Sequence, residues 1–212
     1  MRVPAGMTLF IGAPGSGKTT LAAYFCKRYM RRHKDKNCFS NVPILGTKRL
    51  DCSADLGKVL VEDGMIVVDE GGIEYNNRAY KLLPKTTIQF AKLYRHFGIK
   101  HFLFFSQGMD IDVTFVRLCD RIVIVRKSYI PFFIFLREVR KKVGIDDLTK
   151  QLVDQYEYKP LGFHWVFMPP VWRMFDTYET PYLPSKQWSV WDNKTRFITP
   201  TEPIIDKSSE QA

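Results

Sequence analysis

Residues 12–20 read GAPGSGKTT, directly after the apolar run Met7-Thr8-Leu9-Phe10-Ile11. No other stretch constrains the fold as tightly, because its spacing, G-x-x-x-x-G-K-[ST], demands a particular neighbourhood. Gly12, Ala13, Pro14, Gly15, Ser16 and Gly17 form a loop whose backbone N–H groups turn toward phosphate oxygens. Lys18 reaches the outer phosphates, Thr19 offers its hydroxyl to a magnesium ion, and Thr20 leads the loop into a helix. A strand must deliver the chain to such a loop, and a helix must follow with its positive end facing the anion. The apolar run before Gly12 and the stretch Leu21-Ala22-Ala23-Tyr24-Phe25 after it meet both demands. ATP with Mg2+ is the expected ligand.

Further along, the hydrophobic pattern alternates between strand and helix. Strands are predicted at 7–11, 65–69, 100–106 and 121–126, a short extended piece near 38–44, and helices at 18–32, 53–61, 85–97 and 112–118. Gly98 suits the C-cap of the helix ending at 97. Such alternation predicts an α/β fold of the P-loop NTPase type, a mostly parallel sheet sandwiched by helices. The apolar run Ile130–Leu136 is far too short to span a membrane and reads as a buried strand. After about residue 160 the composition changes: seven of the twelve prolines and all four tryptophans lie there. The predicted division is a P-loop domain over 1–159, an extended Pro- and aromatic-rich C-terminal arm over 160–199 packing on that domain or a neighbour, and a flexible tail over 200–212.

Thirty-two Lys and Arg against 22 Asp and Glu give a net charge of +10 in 212 residues, which favours a polyanionic partner. The basic cluster Lys27–Lys36 fits a solvated helix end better than a nucleic-acid contact. Cys26, Cys38, Cys52 and Cys119 are scattered without metal-ligand spacing, and no secretory leader is evident. Reduced thiols in the cytoplasm are expected.

The second chemical motif is Met65-Ile66-Val67-Val68-Asp69-Glu70, an apolar strand ending in two carboxylates. Asp69 there can hold magnesium through water, and Glu70 can polarise the water that attacks the γ-phosphate. A third element, Lys100–Phe105, runs into Ser106-Gln107 and sets a neutral amide at a strand's C-terminal end, where ligands of open α/β sheets collect. Gln107 is thus a candidate γ-phosphate sensor, provided its strand lies between the other two.

With these residues in hand, the chain resembles the zonular occludens toxin family, the assembly ATPases of filamentous phages, within the FtsK/HerA-like branch of P-loop proteins. The resemblance is carried by GAPGSGKTT, Ser40-Asn41-Val42-Pro43-Ile44, Val67–Gly72 followed by Asn76-Asn77-Arg78, Leu93–Gly98, Phe105-Ser106-Gln107 with Asp110-Ile111-Asp112, and Val116–Asp120. Phe175–Glu179 looks like the family's closing motif, so coverage reaches about residue 180.

The resemblance implies an ATP-driven motor at the cytoplasmic face of the host inner membrane, exchanging packaging proteins for coat on phage DNA during extrusion. It implies a homo-oligomeric ring, with phage DNA or nucleoprotein, coat and membrane assembly proteins as partners. Members often carry a transmembrane helix after the ATPase domain; no such run is present in this chain, and either peripheral membrane association through a partner or a shortened chain or viral lineage without the anchor would fit. Motors of this type commonly lend an arginine to the neighbour's nucleotide. Of Arg78, Arg95, Arg117 and Arg121, Arg95 and Arg117 rank highest, both falling in family-like stretches. Two rival readings remain. GAPGSGK also opens adenylate-kinase-like loops, although a nucleotide kinase has no use for a water-activating Glu beside the magnesium Asp. The other rival is a non-catalytic membrane or nucleic-acid interaction module switched by nucleotide.

Overall fold

The structure, a computed structural model, describes residues 2–52, 55–58, 60–69, 85–108, 113–145 and 152–175. Its centre is an eight-stranded sheet: β1 (Gly6–Ile11), β2 (Asn37–Ser40), β3 (Lys48–Arg49), β4 (Gly64–Val68), β5 (His101–Ser106), β6 (Arg121–Lys127), β7 (Phe133–Ile145) and β8 (Leu152–Phe167). In space the order is β3-β2-β4-β5-β1-β6-β7-β8. Every pair from β3 to β6 is parallel, while β7 and β8 join antiparallel. The sheet is therefore mostly parallel, with β5 between the phosphate-loop strand β1 and the carboxylate strand β4.

Helix α1 (Lys18–Arg32) covers one face, and α2 (Lys85–Leu93) with α3 (Val113–Leu118) the other. Because central strands are buried on both sides, they read as unbroken apolar runs. Phe10, Met65, Val67, Leu103, Phe105, Val123 and Val125 point toward α1, where Leu21, Phe25 and Tyr29 meet them. Their neighbours Leu9, Ile66, Val68, Phe102, Phe104 and Ile122 point the opposite way, onto Phe90, Tyr94, Phe115 and Val116. Phe10 stacks on Phe105 of the adjacent strand with ring centroids 4.7 Å apart, one of the cross-strand contacts that set the register.

Two expectations change. The helix over 85–97 is α-helical only to Leu93; Tyr94–Phe97 tighten into a 3-10 turn, which Gly98 closes at φ +74, donating to Arg95 O at 3.1 Å. No helix occupies the described part of 53–61: Leu56 makes an isolated bridge, and Gly57 turns at φ +80 with its Cα against the backbone of Thr86. A Cβ there would strike that backbone, so the tight approach of two segments wins over helix propensity.

The run Ile130–Leu136 does enter a strand, but a half-buried one. Ile134 and Leu136 are buried on the α1 side, while Phe133 and Phe135 face outward. It continues far beyond the apolar run, and β8 pairs with it through residue 160, where the composition changes. Among the described residues, no helix is long and apolar enough to cross a membrane.

Candidate functional site

The phosphate loop leaves β1 at the C-terminal edge of the sheet and is tied down at once: Gly12 N donates to Ser106 O of β5 at 3.1 Å. A Cβ on Gly12 would lie 2.5 Å from Ser16 Oγ and 2.7 Å from Val125 O, so only glycine fits between loop and β6. Gly17, the N-cap of α1, takes the left-handed conformation at φ 92 and backs onto the Ile134 side chain of β7. Ala13, Pro14 and Gly15 form the exposed rim. No acidic residue occupies the first turn of α1, which leaves its positive end unopposed. Lys18 is buried, and its Nζ donates to Gly12 O at 3.0 Å and to Ala13 O at 3.3 Å, so the ammonium lies within the loop's own curve.

The two predicted magnesium residues, 50 positions apart, come into direct contact. Thr19 Oγ1 donates to Asp69 Oδ2 at 2.5 Å. Asp69, only 2% exposed, follows β4 and is held from behind by Asn41, which follows β2. Asn41 Nδ2 donates to Asp69 O and Asp69 N donates to Asn41 Oδ1, both at 2.8 Å. The Asn41 amide thus extends the β2–β4 ladder by one step in side-chain form. A hydroxyl and a carboxylate brought together suit a small hard cation, so these residues fit magnesium. Asn41 carried no assigned role in the sequence; its signals were its place in the family-like stretch Ser40–Ile44 and a polar residue at the end of a strand.

Gln107 follows β5 and lines, with Ile11–Ser16 of the loop, a cavity of about 650 Å³ whose far wall is β6 and Val139. The exposed Arg126 and Lys127 are also among its lining residues. Phosphate loop, Asp69 and Gln107 therefore share one edge, because the register sets Ile11 beside Ser106 and Val68 beside Phe104. Glu70 lies outside the described residues, as does Arg78.

The two arginines do not join this group. Arg95 Nη2 donates to Asp120 Oδ2 at 2.8 Å and its Nε to the Tyr94 hydroxyl at 3.0 Å, while the same Asp120 oxygen accepts from Met7 N at 2.9 Å. Tyr94, and then Asp120, push the Arg95 pKa upward. Met7 is near the start of β1, so Arg95 sits at the N-terminal edge, about 16 Å from the loop at roughly 3.3 Å per residue. Arg117, exposed on the last turn of α3, lies just before Asp120 and thus toward that edge too. Any part in hydrolysis would have to be played on another subunit's nucleotide.

Strand order, loop and the Thr19–Asp69 contact together define a P-loop NTPase fold in which one strand separates the loop strand from the carboxylate strand. In particular, the chain is similar to the N-terminal domain of zonular occludens toxin from Neisseria meningitidis: TM-score 0.52, 17% identity, covering 81% of this chain and 99% of that one. That likeness meets the expected resemblance at the level of fold. More distant likenesses are to the genome packaging NTPase B204 of Sulfolobus turreted icosahedral virus 2 in complex with ATP-gammaS (TM-score 0.46, 11% identity, 74% and 98% coverage) and to a KaiC-like protein of Pyrococcus horikoshii (0.42, 10%, 71% and 89%). No family model and no curated protein matches the chain.

Proposed function

We propose that this chain is an ATP-hydrolysing motor that drives assembly and extrusion of a filamentous phage at the cytoplasmic face of the host inner membrane. The observation that carries the ATPase part is the Thr19–Asp69 contact beside the buried Lys18, at the edge where the Gln107 strand lies between the other two. The phage setting rests on the quoted motifs together with the shared fold. Lys18 would cradle the β- and γ-phosphates, Glu70 would polarise the attacking water, and Gln107 would hold that water or the γ-phosphate in line. Magnesium, held by Thr19 and through water by Asp69, would draw charge from the phosphates. Arg95 or Arg117 of a neighbouring subunit would add the last cation, so the working unit would be a ring. Phage DNA or nucleoprotein, coat and membrane assembly proteins would be its partners.

Two substitutions test the chemistry. Lys18→Ala should weaken both nucleotide binding and turnover, whereas Glu70→Gln should leave ATP binding near normal and cut hydrolysis by about 100-fold or more, the scale expected when a positioned base is lost. Wild-type turnover in Glu70→Gln would overturn the assignment of the base. Phosphate transfer to AMP in place of hydrolysis would establish the kinase reading.

A further inference from the structure

The turn between β6 and β7 presents an apolar tip that stands in solvent. Tyr129 is fully exposed, Ile130 is 51% and Phe132 58% exposed, and Pro131 joins them. Trp172 packs its ring 5.6 Å from Phe132 and is itself half exposed, and the Phe133–Phe167 pair, centroids 5.3 Å apart, adjoins it. A contiguous aromatic and aliphatic surface of this kind marks an interaction site.

Three features say what it meets. First, Phe132 holds a left-handed backbone at φ 68, which a bulky residue adopts only where its surroundings impose it. Those surroundings are hydrogen bonds within the tip: Met168 N donates to Phe132 O at 2.9 Å, Phe133 N to Ile130 O at 3.3 Å, and Ile130 N to Ser128 Oγ at 2.9 Å. These backbone groups need no water, as entry into a water-poor layer requires. Second, no Asp or Glu occurs between Arg121 and Arg137 or between Pro160 and Phe175. The exposed Arg126, Lys127 and Arg173 flank the tip, and Lys27 joins them by donating to Pro170 O at 2.5 Å. Third, rings capable of sitting at a headgroup boundary surround an aliphatic apex, Ile130-Pro131. That is the arrangement of an interfacial anchor with a basic collar.

We propose that the 129–132 tip with Trp172 is a wedge that docks this chain on an anionic lipid bilayer. The wedge gives the membrane location proposed above a surface but does not depend on ATP hydrolysis. Nucleic acid would use the cations and rings, yet gains nothing from an aliphatic apex. A second copy would bring the same positive rim against itself.

Flotation of the full chain tests this, with vesicles of phosphatidylcholine alone and of equal parts phosphatidylcholine and phosphatidylglycerol. The chain should float with the anionic vesicles only, and less at high salt. Ile130→Ser with Phe132→Asn, both exposed and the latter tolerant of positive φ, should lower the bound fraction about tenfold or more. Lipid-free ATP turnover and the melting temperature should stay as in wild type. Brominated acyl chains should quench the tryptophan emission of the wild type but not of the variant. The wedge is overturned if the wild type does not float, or if the variant floats equally well. It is likewise overturned if the two substitutions abolish self-association or oligonucleotide binding while leaving flotation intact. Flotation without ATP turnover would sink the motor and keep the wedge; turnover without flotation would do the reverse.

Discussion

Asp69 is held at two levels: its carboxylate meets Thr19, and its backbone is clasped by Asn41. The contact with Thr19 was legible in the sequence because each partner belongs to a local motif, a glycine spacing or an apolar strand ending in acids. The clasp was not, since nothing in Ser40-Asn41-Val42 says that β2 ends level with β4; that follows from parallel pairing of distant segments. Asn41→Ala should cost about 1–3 kcal/mol of stability, for two lost hydrogen bonds and the buried groups left unmatched. It should also weaken magnesium-dependent turnover by about 10- to 100-fold, on the scale of lost supporting contacts at metal sites. Chemical denaturation and a magnesium titration of ATPase rate check both; unchanged turnover would reduce Asn41 to a structural role. Gly12→Ala should abolish nucleotide binding by equilibrium dialysis, since the added methyl meets Ser16 Oγ and a backbone carbonyl that cannot retreat.

Four central strands were predicted to within a residue or two, because burial on both faces leaves β-branched and aromatic residues in unbroken runs. The β7–β8 hairpin was less legible. Its inner positions Ile134, Leu136 and Val166 carry the core, but aromatic rings also occupy the outer ones, so the alternation that marks a one-sided strand is hidden. Beyond Val139 the two strands pair with each other and no longer with β6. At the N-terminal edge of the parallel strands, His101 opens β5, its Nδ1 2.7 Å from Pro4 O and its ring 5.5 Å from that of Tyr29 on α1. Burial pulls its pKa below 6.5; the bond to Pro4 opposes this, and the charges of His33 and Lys100 assist it. The folded chain therefore binds this proton less readily than the unfolded one. The stabilisation is complete above pH 6.5 and is lost as pH falls through the depressed folded value. Denaturation midpoints should drop on acidification below pH 6.5, and His101→Phe should flatten that part of the profile. An identical slope in the variant would assign the acid sensitivity elsewhere.

For the whole molecule, the position of the arginines sets what assembly must achieve. The candidate nucleotide-site residues gather at one edge of the sheet, while Arg95 and Arg117 stand toward the other, Arg95 tied to Asp120 with the pair partly exposed. If a neighbour's arginine completes the site, Arg117→Ala or Arg95→Ala should bind ATP and fail to hydrolyse it. Mixing that variant with Lys18→Ala subunits should restore part of the activity, because some interfaces then join an intact loop to an intact arginine. Full activity from a monomer with ATP and magnesium, judged by mass in solution, would remove the need for either. The hairpin has one more consequence. The start of β7 leans on the phosphate loop, since Ile134 fills the space where any side chain on Gly17 would go. From that contact β7 stays paired with β6 as far as Val139, through a register shift between Arg137 and Val139, and only then continues clear of β6 to Ile145, about 20 Å further at roughly 3.3 Å per residue. The hairpin thus ties the phosphate loop, through Ile134, to an arm that projects beyond β6 on the far side of the sheet.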